Sequence, residues 1–260
     1  METFRLDKVT INIGKDKDEL THRLADRFVS LAQDCVKNSG RYAVALSGGS
    51  TPKAFYALLA EPEYGNQVPW KATHLFWGDE RCVAHDSPES NYKMAVDALI
   101  SKVPIPAENV HPTHGQDQDP VAAALKYEKE IVEFFKLGAG EFPAFDFNLL
   151  GMGPDGHTAS LFPGSAALEE RSRIVVANFV AKFNTYRITL TLPAINNSKN
   201  VIFMVAGQDK QEMLKTVLES GPPVLPSQLI APAGKLDWYI DRAAAAGLDL
   251  HLFSPVSSGV

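Results

Sequence analysis

Short apolar runs alternate with amphipathic stretches along most of the chain, and this alternation is the feature that most restricts its fold. Strands are predicted for VTINI (9–13), YAVALS (42–47), THLFWG (73–78), FDFNLLG (145–151), RIVVANF (173–179), YRITLTL (186–192) and VIFMVAG (201–207). Helices are predicted over residues 18–38, 52–60, 91–101, 120–137, 210–220 and 234–246, and LDLHLF (248–253) is predicted as strand or near-strand. Continuous apolar strands between helices indicate an α/β fold, with a mainly parallel sheet covered on both faces.

The composition excludes several classes of protein. The 260 residues are 45% hydrophobic, enough for a sizeable core, and the net charge of −6 argues against a general basic face for nucleic acid. No apolar run approaches the roughly 20 residues of a membrane span, and the N-terminus lacks a signal peptide's apolar core. Cys35 and Cys82 provide no disulfide framework, which fits a reducing compartment. We expect one domain over residues 1–260 that is cytoplasmic and monomeric and binds neither nucleic acid nor membrane.

The loop after YAVALS is a candidate anion site. It comprises Ser47, Gly48, Gly49, Ser50 and Thr51 and opens a predicted helix. Glycines let the backbone approach an oxyanion, and the free N–H groups and hydroxyls of a helix start can hold a phosphate. The loop is not a P-loop, because G-x-x-x-x-G-K-[ST] is absent, and it is not a nucleophile elbow, because Ala45 replaces the first glycine of G-x-S-x-G. A tight turn with a capping Ser or Thr is the alternative.

The stretch Asp79-Glu80-Arg81 directly follows the strand THLFWG. Ligands of such sheets bind beyond the carboxyl ends of the strands, so acids and an arginine at this point suit an active site. A surface ion pair is the alternative.

The stretch GMGPDGHTASLFPG follows FDFNLLG, and its Gly151, Gly153 and Gly156 spell G-x-G-x-x-G. A dinucleotide-binding turn requires an acidic residue about 20 positions on, at the end of the next strand. The next predicted strand instead has Ala177 and Asn178 near its end and no acidic residue, which disfavours a nicotinamide site.

His157 follows the last of these glycines, and Asp155 lies two residues before it. Histidine titrates near neutrality and can take and return a proton, while a nearby carboxylate can orient it. A structural histidine that caps a helix beginning at Thr158 is the alternative.

Two basic residues form a further candidate group. Arg187 begins YRITLTL, and Lys210 follows VIFMVAG at a helix start, where it could reach a phosphate or be a solvated lysine. His111 and His114 form H-x-x-H without further ligands, so we expect no metal site there.

Together these loops resemble the 6-phosphogluconolactonase family, within the wider glucosamine-6-phosphate isomerase/6-phosphogluconolactonase superfamily. The resemblance runs in order from about residue 9 to residue 250 and is carried by SGGSTP, FWGDERCV, SPESNY, LLGMGPDGHTASLFPG, RITLTLPAIN, VAGQDK and LDWYIDRAAA. It implies a Rossmann-like, mainly parallel sheet with helices on both faces and a small appended subdomain. It also implies hydrolysis of 6-phospho-D-glucono-1,5-lactone in the oxidative pentose phosphate pathway. The isomerase/deaminase branch has a pattern like DGHIAFNEP, whereas DGHTASLFP here lacks its glutamate, which favours a lactonase.

This resemblance suggests a role for each candidate residue. His157 would act as general base on water, Asp155 would orient it, and Arg81 would stabilise the oxyanion. Asp79 would orient Arg81 or a sugar hydroxyl. The SGGST loop would hold the phosphate with Arg187 and Lys210, which align with the superfamily's phosphate-binding positions. We expect a phosphosugar lactone as the small-molecule partner and no metal or organic cofactor. The alternatives are a sugar-phosphate isomerase or deaminase, a non-catalytic sugar-phosphate sensor and, last, a dehydrogenase.

Overall fold

The structure, a computed structural model, describes residues 1–6 and 8–256. Over these residues the strands are β1 (Glu2–Leu6), β2 (Val9–Gly14), β3 (Tyr42–Leu46), β4 (Thr73–Trp77), β5 (Asp79–Arg81), β6 (Phe147–Leu150), β7 (Val175–Val180), β8 (Thr185–Leu190), β9 (Asn200–Val205), β10 (Lys235–Asp241) and β11 (Ser254–Pro255). The α-helices are α1 (Lys17–Ser39), α2 (Ser50–Leu59), α3 (Pro62–Gly65), α4 (Asn91–Ala98), α5 (Pro120–Phe135), α6 (Leu192–Asn196), α7 (Gln211–Glu219) and α8 (Arg242–Ala245).

The main sheet is predominantly parallel, as predicted. Within the described residues its strand order is β11-β1-β2-β10-β9-β6-β3-β4. The strands from β2 to β4 in this order all pair in parallel, and β1 and β11 extend the β2 edge with antiparallel pairs. A second, antiparallel sheet has the order β5-β8-β7 and corresponds to the expected appended part.

Helices cover both faces of the main sheet, and β3 shows why. Successive side chains of a strand point to opposite faces. Ala43 and Ala45 accordingly pack into one core, which α5, α6, α7 and α8 cover, whereas Tyr42, Val44 and Leu46 pack into a second core beneath α1, α2 and α4. An apolar residue at every position of the strand is therefore required, and the predicted two-sided α/β architecture is confirmed.

Helix α1 illustrates how the sequence sets an element's limits. Its buried face carries Leu20, Leu24 and Phe28, which recur at the helical period. The helix begins at the cap Asp16, whose carboxylate accepts the N–H of Glu19, and it ends at Gly40, which has a left-handed φ of 76°. None of the helices within residues 1–6 and 8–256 is both long and apolar enough to cross a membrane.

Two predictions near the C-terminus are wrong. Residues 234–246 form the strand β10 and the one-turn helix α8 rather than one helix, and LDLHLF contains the 3-10 turn Leu250–Leu252 rather than a strand. The alanines after Asp241 favour a helix, but the preceding LDWYI is rich in strand-forming residues. These residues pair with β2 on one side and β9 on the other, so hydrogen bonds to two neighbours override the local helical pattern.

Candidate active site

The candidate site lies where the chain changes direction across the sheet. From β3 the chain passes to β4 on one side, whereas β6 lies on the other side of β3. Loops at the carboxyl ends of two such strands diverge and leave a crevice for a ligand. A cavity of about 180 Å³ occupies this position. Its lining consists of Ser47, Gly48, Gly49, Asp79, Arg81, Asn91, Gly151, Met152, Gly153, His157, Ala159 and Arg187.

The glycines after β6 make room for an imidazole ring. A Cβ placed on Gly153 would lie 2.0 Å from Nδ1 of His157, so no other residue fits there without moving the ring. Gly156 has a φ of +74°, and the N–H of Gly153 donates to the carbonyl of His157 at 2.9 Å. The G-x-G-x-x-G pattern here therefore shapes a tight turn beneath His157.

His157 and Asp155 form a hydrogen-bonded pair at the cavity wall. Nδ1 of His157 lies 2.5 Å from Oδ1 of Asp155, whose Oδ2 contacts Nζ of Lys182 at 3.2 Å. Burial raises the pKa of Asp155, but the hydrogen bond and charge of His157, with Lys182, outweigh this and lower it to about 2. Because the ionised carboxylate only accepts, Nδ1 carries the proton of the neutral ring and Nε2 is left as the basic nitrogen.

The position of His157 is fixed on two further sides. The ring stacks on Phe162 at a centroid distance of 4.1 Å. Behind the turn, the buried Ser227 donates from both its N–H (3.0 Å) and its Oγ (2.9 Å) to the carbonyl of Gly156. The alternative of a histidine that caps a helix at Thr158 is wrong, because Thr158 forms an antiparallel bridge with Leu161 instead.

Asp79 and Arg81 lie on β5 and are joined through a residue that the sequence analysis did not select. Asn91 donates from Nδ2 to the carbonyl of Asp79 at 2.9 Å and accepts at Oδ1 from Nη1 of Arg81 at 2.6 Å. Asp79 is buried and accepts from Oγ of Ser160 at 2.7 Å, so it does not form the surface ion pair considered above. A Cβ on Gly48 would meet Asn91 Oδ1 at 1.9 Å, so the glycine lets Asn91 reach the cavity.

Glu80 places Asn91 at that position. Its buried carboxylate accepts the backbone N–H groups of Arg81, Asn91 and Tyr92, each at 2.8 Å, and the hydroxyl of Ser90 at 3.1 Å. Burial raises the pKa of Glu80, although these N–H groups oppose the shift. The carboxylate thus holds the start of α4 against β5. In the sequence this arrangement is marked by the two motifs GDER and SPESNY, which both belong to the family resemblance. Neither motif by itself predicts where the other one lies.

Arg187 is a cation without an anionic partner among the described residues. It lies opposite Arg81 in the register of β5 and β8. Its guanidinium carbon lies 5.0 Å from the ring centroid of Phe183 and 5.7 Å from that of Phe162. Neither a hydrogen bond nor an ion pair joins its guanidinium to the rest of residues 1–6 and 8–256. Burial lowers the pKa of Arg187, since it disfavours the charged form, and an anionic ligand would offset that cost.

The loop after β3 and Lys210 lie at the same edge of the sheet, but only part of them lines the cavity. Gly49 begins α2 with no side-chain cap, so the first N–H groups of that helix have no partner within it. Ser50 is exposed and Thr51 half-buried in its first turn, and neither lines the cavity. Lys210 begins α7 after β9, lies outside the cavity lining and has Nζ 3.3 Å from Oδ2 of Asp209.

The H-x-x-H histidines serve separate contacts. His111 lies 3.2 Å from His74, and His114 lies 2.7 Å from Glu130. Within residues 1–6 and 8–256, no three His, Cys, Asp or Glu side chains converge closely enough to hold a metal ion.

Comparison with known proteins identifies the family. The model of the family described as glucosamine-6-phosphate isomerases/6-phosphogluconolactonase matches residues 15–238. A 6-phosphogluconolactonase from Nostoc sp. is 43% identical over 245 residues, which is 94% of this chain and 100% of the relative. The chloroplastic 6-phosphogluconolactonase 3 of Arabidopsis thaliana is 37% identical and covers 92% of this chain and 78% of its own.

The solved structures agree. The 6-phosphogluconolactonase from Trypanosoma cruzi superposes with a TM-score of 0.82 at 33% identity, over 92% of this chain and 96% of that one. The family match covers most of the chain, and each of these relatives is matched over at least 78% of its own length. The chain belongs to the glucosamine-6-phosphate isomerase/6-phosphogluconolactonase family.

Proposed function

We propose that this chain hydrolyses 6-phospho-D-glucono-1,5-lactone to 6-phospho-D-gluconate, in the oxidative pentose phosphate pathway, with His157 as the general base. One observation carries the proposal: Asp155 holds Nδ1 of His157, which leaves Nε2 as the basic nitrogen of a ring that lines the same cavity as Arg81 and Arg187. The substrate is inferred from the relatives, which are named 6-phosphogluconolactonase. The chemistry follows from the side chains.

The reaction needs one proton carrier and one site for negative charge. Nε2 of His157 takes a proton from water as the water oxygen bonds to C1 of the lactone. The carbonyl oxygen becomes an oxyanion, which Arg81 and nearby backbone N–H groups stabilise. The oxyanion then re-forms the carbonyl, the bond from C1 to the ring oxygen breaks, and the ring oxygen receives the proton from His157. Asp155 stabilises the imidazolium that exists between the two transfers.

The phosphate at the far end of the substrate supplies orientation. Arg187 is suited to it because its guanidinium lacks a protein anion and is partly buried. The N–H groups at the start of α2 face the same edge, and Lys210 would reach the phosphate from the start of α7. Binding a remote group in this way spends interaction energy on positioning the ester carbon.

Phe162 argues against the isomerase or deaminase alternative. In the pattern DGHTASLFP this phenylalanine stands where the pattern typical of that branch has a glutamate. Its ring stacks on His157, so an apolar surface replaces the second acid/base group. Moving protons between sugar carbons requires such a group, whereas ester hydrolysis by one histidine does not.

Lactone hydrolysis by the parent and by His157→Asn, corrected for the spontaneous rate, tests the proposal. We expect kcat to fall about 10²- to 10⁴-fold, while binding of 6-phosphogluconate is retained. His22→Asn is the control, because His22 contacts Tyr64 and lies outside the cavity lining. Near-parental turnover by His157→Asn contradicts the proposed base, and ammonia release from glucosamine 6-phosphate would favour the other branch.

We further propose that the chain acts as a single-domain monomer in the cytoplasm and binds neither nucleic acid nor membrane. The net charge of −6 supports the absence of nucleic-acid and membrane binding, since it disfavours anionic polymers and surfaces. Light scattering at working concentration measures the oligomeric state directly, and a dimer mass would contradict the proposal.

A further inference from the structure

Lys182 joins the small sheet to the catalytic turn. It lies in the connection between β7 and β8, whereas Asp155 lies in the loop after β6 of the main sheet. Nζ of Lys182 is 3.2 Å from Oδ2 of Asp155, and the other carboxylate oxygen contacts His157. Each oxygen of Asp155 therefore has its own partner, one on each side.

A second contact from the same connection holds the same turn. Phe183 packs edge-on against Phe162 at 5.9 Å, and Phe162 in turn stacks on His157 at 4.1 Å. Lys182 itself is 55% exposed, so burial alone does not hold its side chain. The aromatic contact keeps the backbone of the connection beside Asp155, which is what an exposed ion pair needs to persist.

We propose that Lys182 is a positioning residue that completes a Lys182–Asp155–His157 chain. The inference rests on the proposed function, in which His157 is the base. Lys182 restrains the rotation of the Asp155 carboxylate, because it binds the oxygen that faces away from the imidazole. It also balances the carboxylate's charge. Without the ammonium group, Asp155 would stabilise the imidazolium form more strongly, and His157 would keep its proton to higher pH.

The other charged groups around the ring do not replace this effect. Asp155 belongs to the same turn as His157, Lys182 to the β7–β8 connection and Arg187 to β8. From β5, Arg81 and the buried Asp79 line the same cavity. Among these cations, Lys182 alone forms an ion pair with Asp155 within the described residues.

Rate measurements across acid to neutral pH test the charge effect. For Lys182→Met we expect the acid limb of kcat/KM to move up by about half a pH unit, the effect of one charge a few ångströms away in a water-like surrounding. Lys182→Glu should move it about twice as far, and Lys182→Arg should restore the parental limb. Lys199→Met is a matched control, because Lys199 is 56% exposed and pairs with Asp146 at 2.7 Å next to the opposite, amino ends of β6 and β9. The acid limb of kcat/KM should not move in Lys199→Met.

The Asp155→Asn background separates the charge of Lys182 from its effect on the position of Asp155. The charge of Lys182 acts on His157 through space, so its shift of the limb should persist in the Asp155→Asn background, whereas a fall in kcat that comes from lost positioning of Asp155 should appear only where Asp155 is present. An unmoved limb in Lys182→Met, or an equal fall in kcat from Lys182→Met with and without the Asp155 carboxylate, overturns the inference. His157→Asn is assayed alongside. If it is inactive while the Lys182 result is negative, only the role of Lys182 fails; if it is active, the proposed base fails.

Discussion

Arg81 and Arg187 lie directly opposite each other on the antiparallel strands β5 and β8. Like charges in this relation destabilise a sheet. Arg81 donates to the carbonyl of Glu89 and to Asn91, both neutral groups, so neither arginine has its charge balanced by an ion pair within the described residues. An anion bound between or beside them would relieve the repulsion, and ligand binding should therefore stabilise the fold.

We expect Arg187→Met to raise KM by about 10- to 100-fold with little change in kcat, because it removes a charged contact worth about 1.5–3 kcal/mol. The rise in Tm that 6-phosphogluconate or inorganic phosphate produces in the parent should shrink in the variant. Steady-state kinetics and thermal unfolding with and without the anion measure both. Arg41→Met is the control, since Arg41 packs on Phe134 at the amino end of β3. An unchanged KM in Arg187→Met would mean that Arg187 does not bind the substrate.

Gly153→Ala should reduce kcat as severely as a change to His157 itself, by about 10²-fold or more. Its Cβ would lie 2.0 Å from Nδ1 of His157, so the ring would have to leave Asp155. A crystal structure or histidine NMR signals of the variant would report the displaced ring. Gly138→Ala, whose Cβ meets Glu141 at an ordinary 3.5 Å, should retain activity. Full activity in Gly153→Ala would show that the hydrogen-bonded pair is not needed.

The sheet could largely be predicted because its strands are apolar on both faces, a pattern that few other folds require. The prediction failed at residues 234–246, where alanines favour a helix over a short range. What decides β10 is its pairing with β2, more than 220 positions away, and with β9. The short β5 also escaped prediction, because three polar residues carry no apolar period and are held by pairing with β8.

The candidate site also contains residues that could be predicted from the sequence and residues that could not. His157, Asp155 and Arg81 could be selected because each follows a predicted strand, and parallel strands bring such loops to one edge. Asn91 and Ser227 could not, since their importance lies in contacts with Arg81 and Gly156 that no local pattern records. Glycine spacing indicated a turn but could not indicate that the space beneath it belongs to an imidazole.

Ser227→Ala should lower kcat by about 3- to 10-fold with KM nearly unchanged. The variant keeps the backbone N–H bond to the carbonyl of Gly156 but loses the Oγ bond, which is worth about 1 kcal/mol. The left-handed turn before His157 would then be held less firmly, and the loss should fall on the chemical step. Separate measurement of kcat and KM distinguishes this from weaker substrate binding.

Ser198→Ala provides the matched control for that experiment. Ser198 is equally buried and accepts from Asn148 at 3.1 Å, but it precedes β9 at the opposite edge of the sheet. We expect a similar fall in Tm for both variants and a fall in kcat for Ser227→Ala alone. Equal loss of kcat in the two would reduce Ser227 to a general contribution to stability.

His111 should make the fold less stable in mild acid. Burial, with the neighbouring His74, lowers the pKa of His111 from 6.5 to about 4, and its ring stacks on Phe76 at 4.3 Å. Between these two values the unfolded chain binds the proton and the folded chain does not, so stability is complete above pH 6.5 and falls as the pH drops towards 4. His111→Phe removes this proton-binding group, so its Tm should fall less than the parental Tm between pH 7 and 5, by about 2–5 °C.

His251→Phe, at an exposed position, is the control and should keep the parental dependence of Tm on pH. Identical Tm profiles for the parent and His111→Phe would show that protonation of the half-buried His111 does not cause the loss of stability in acid.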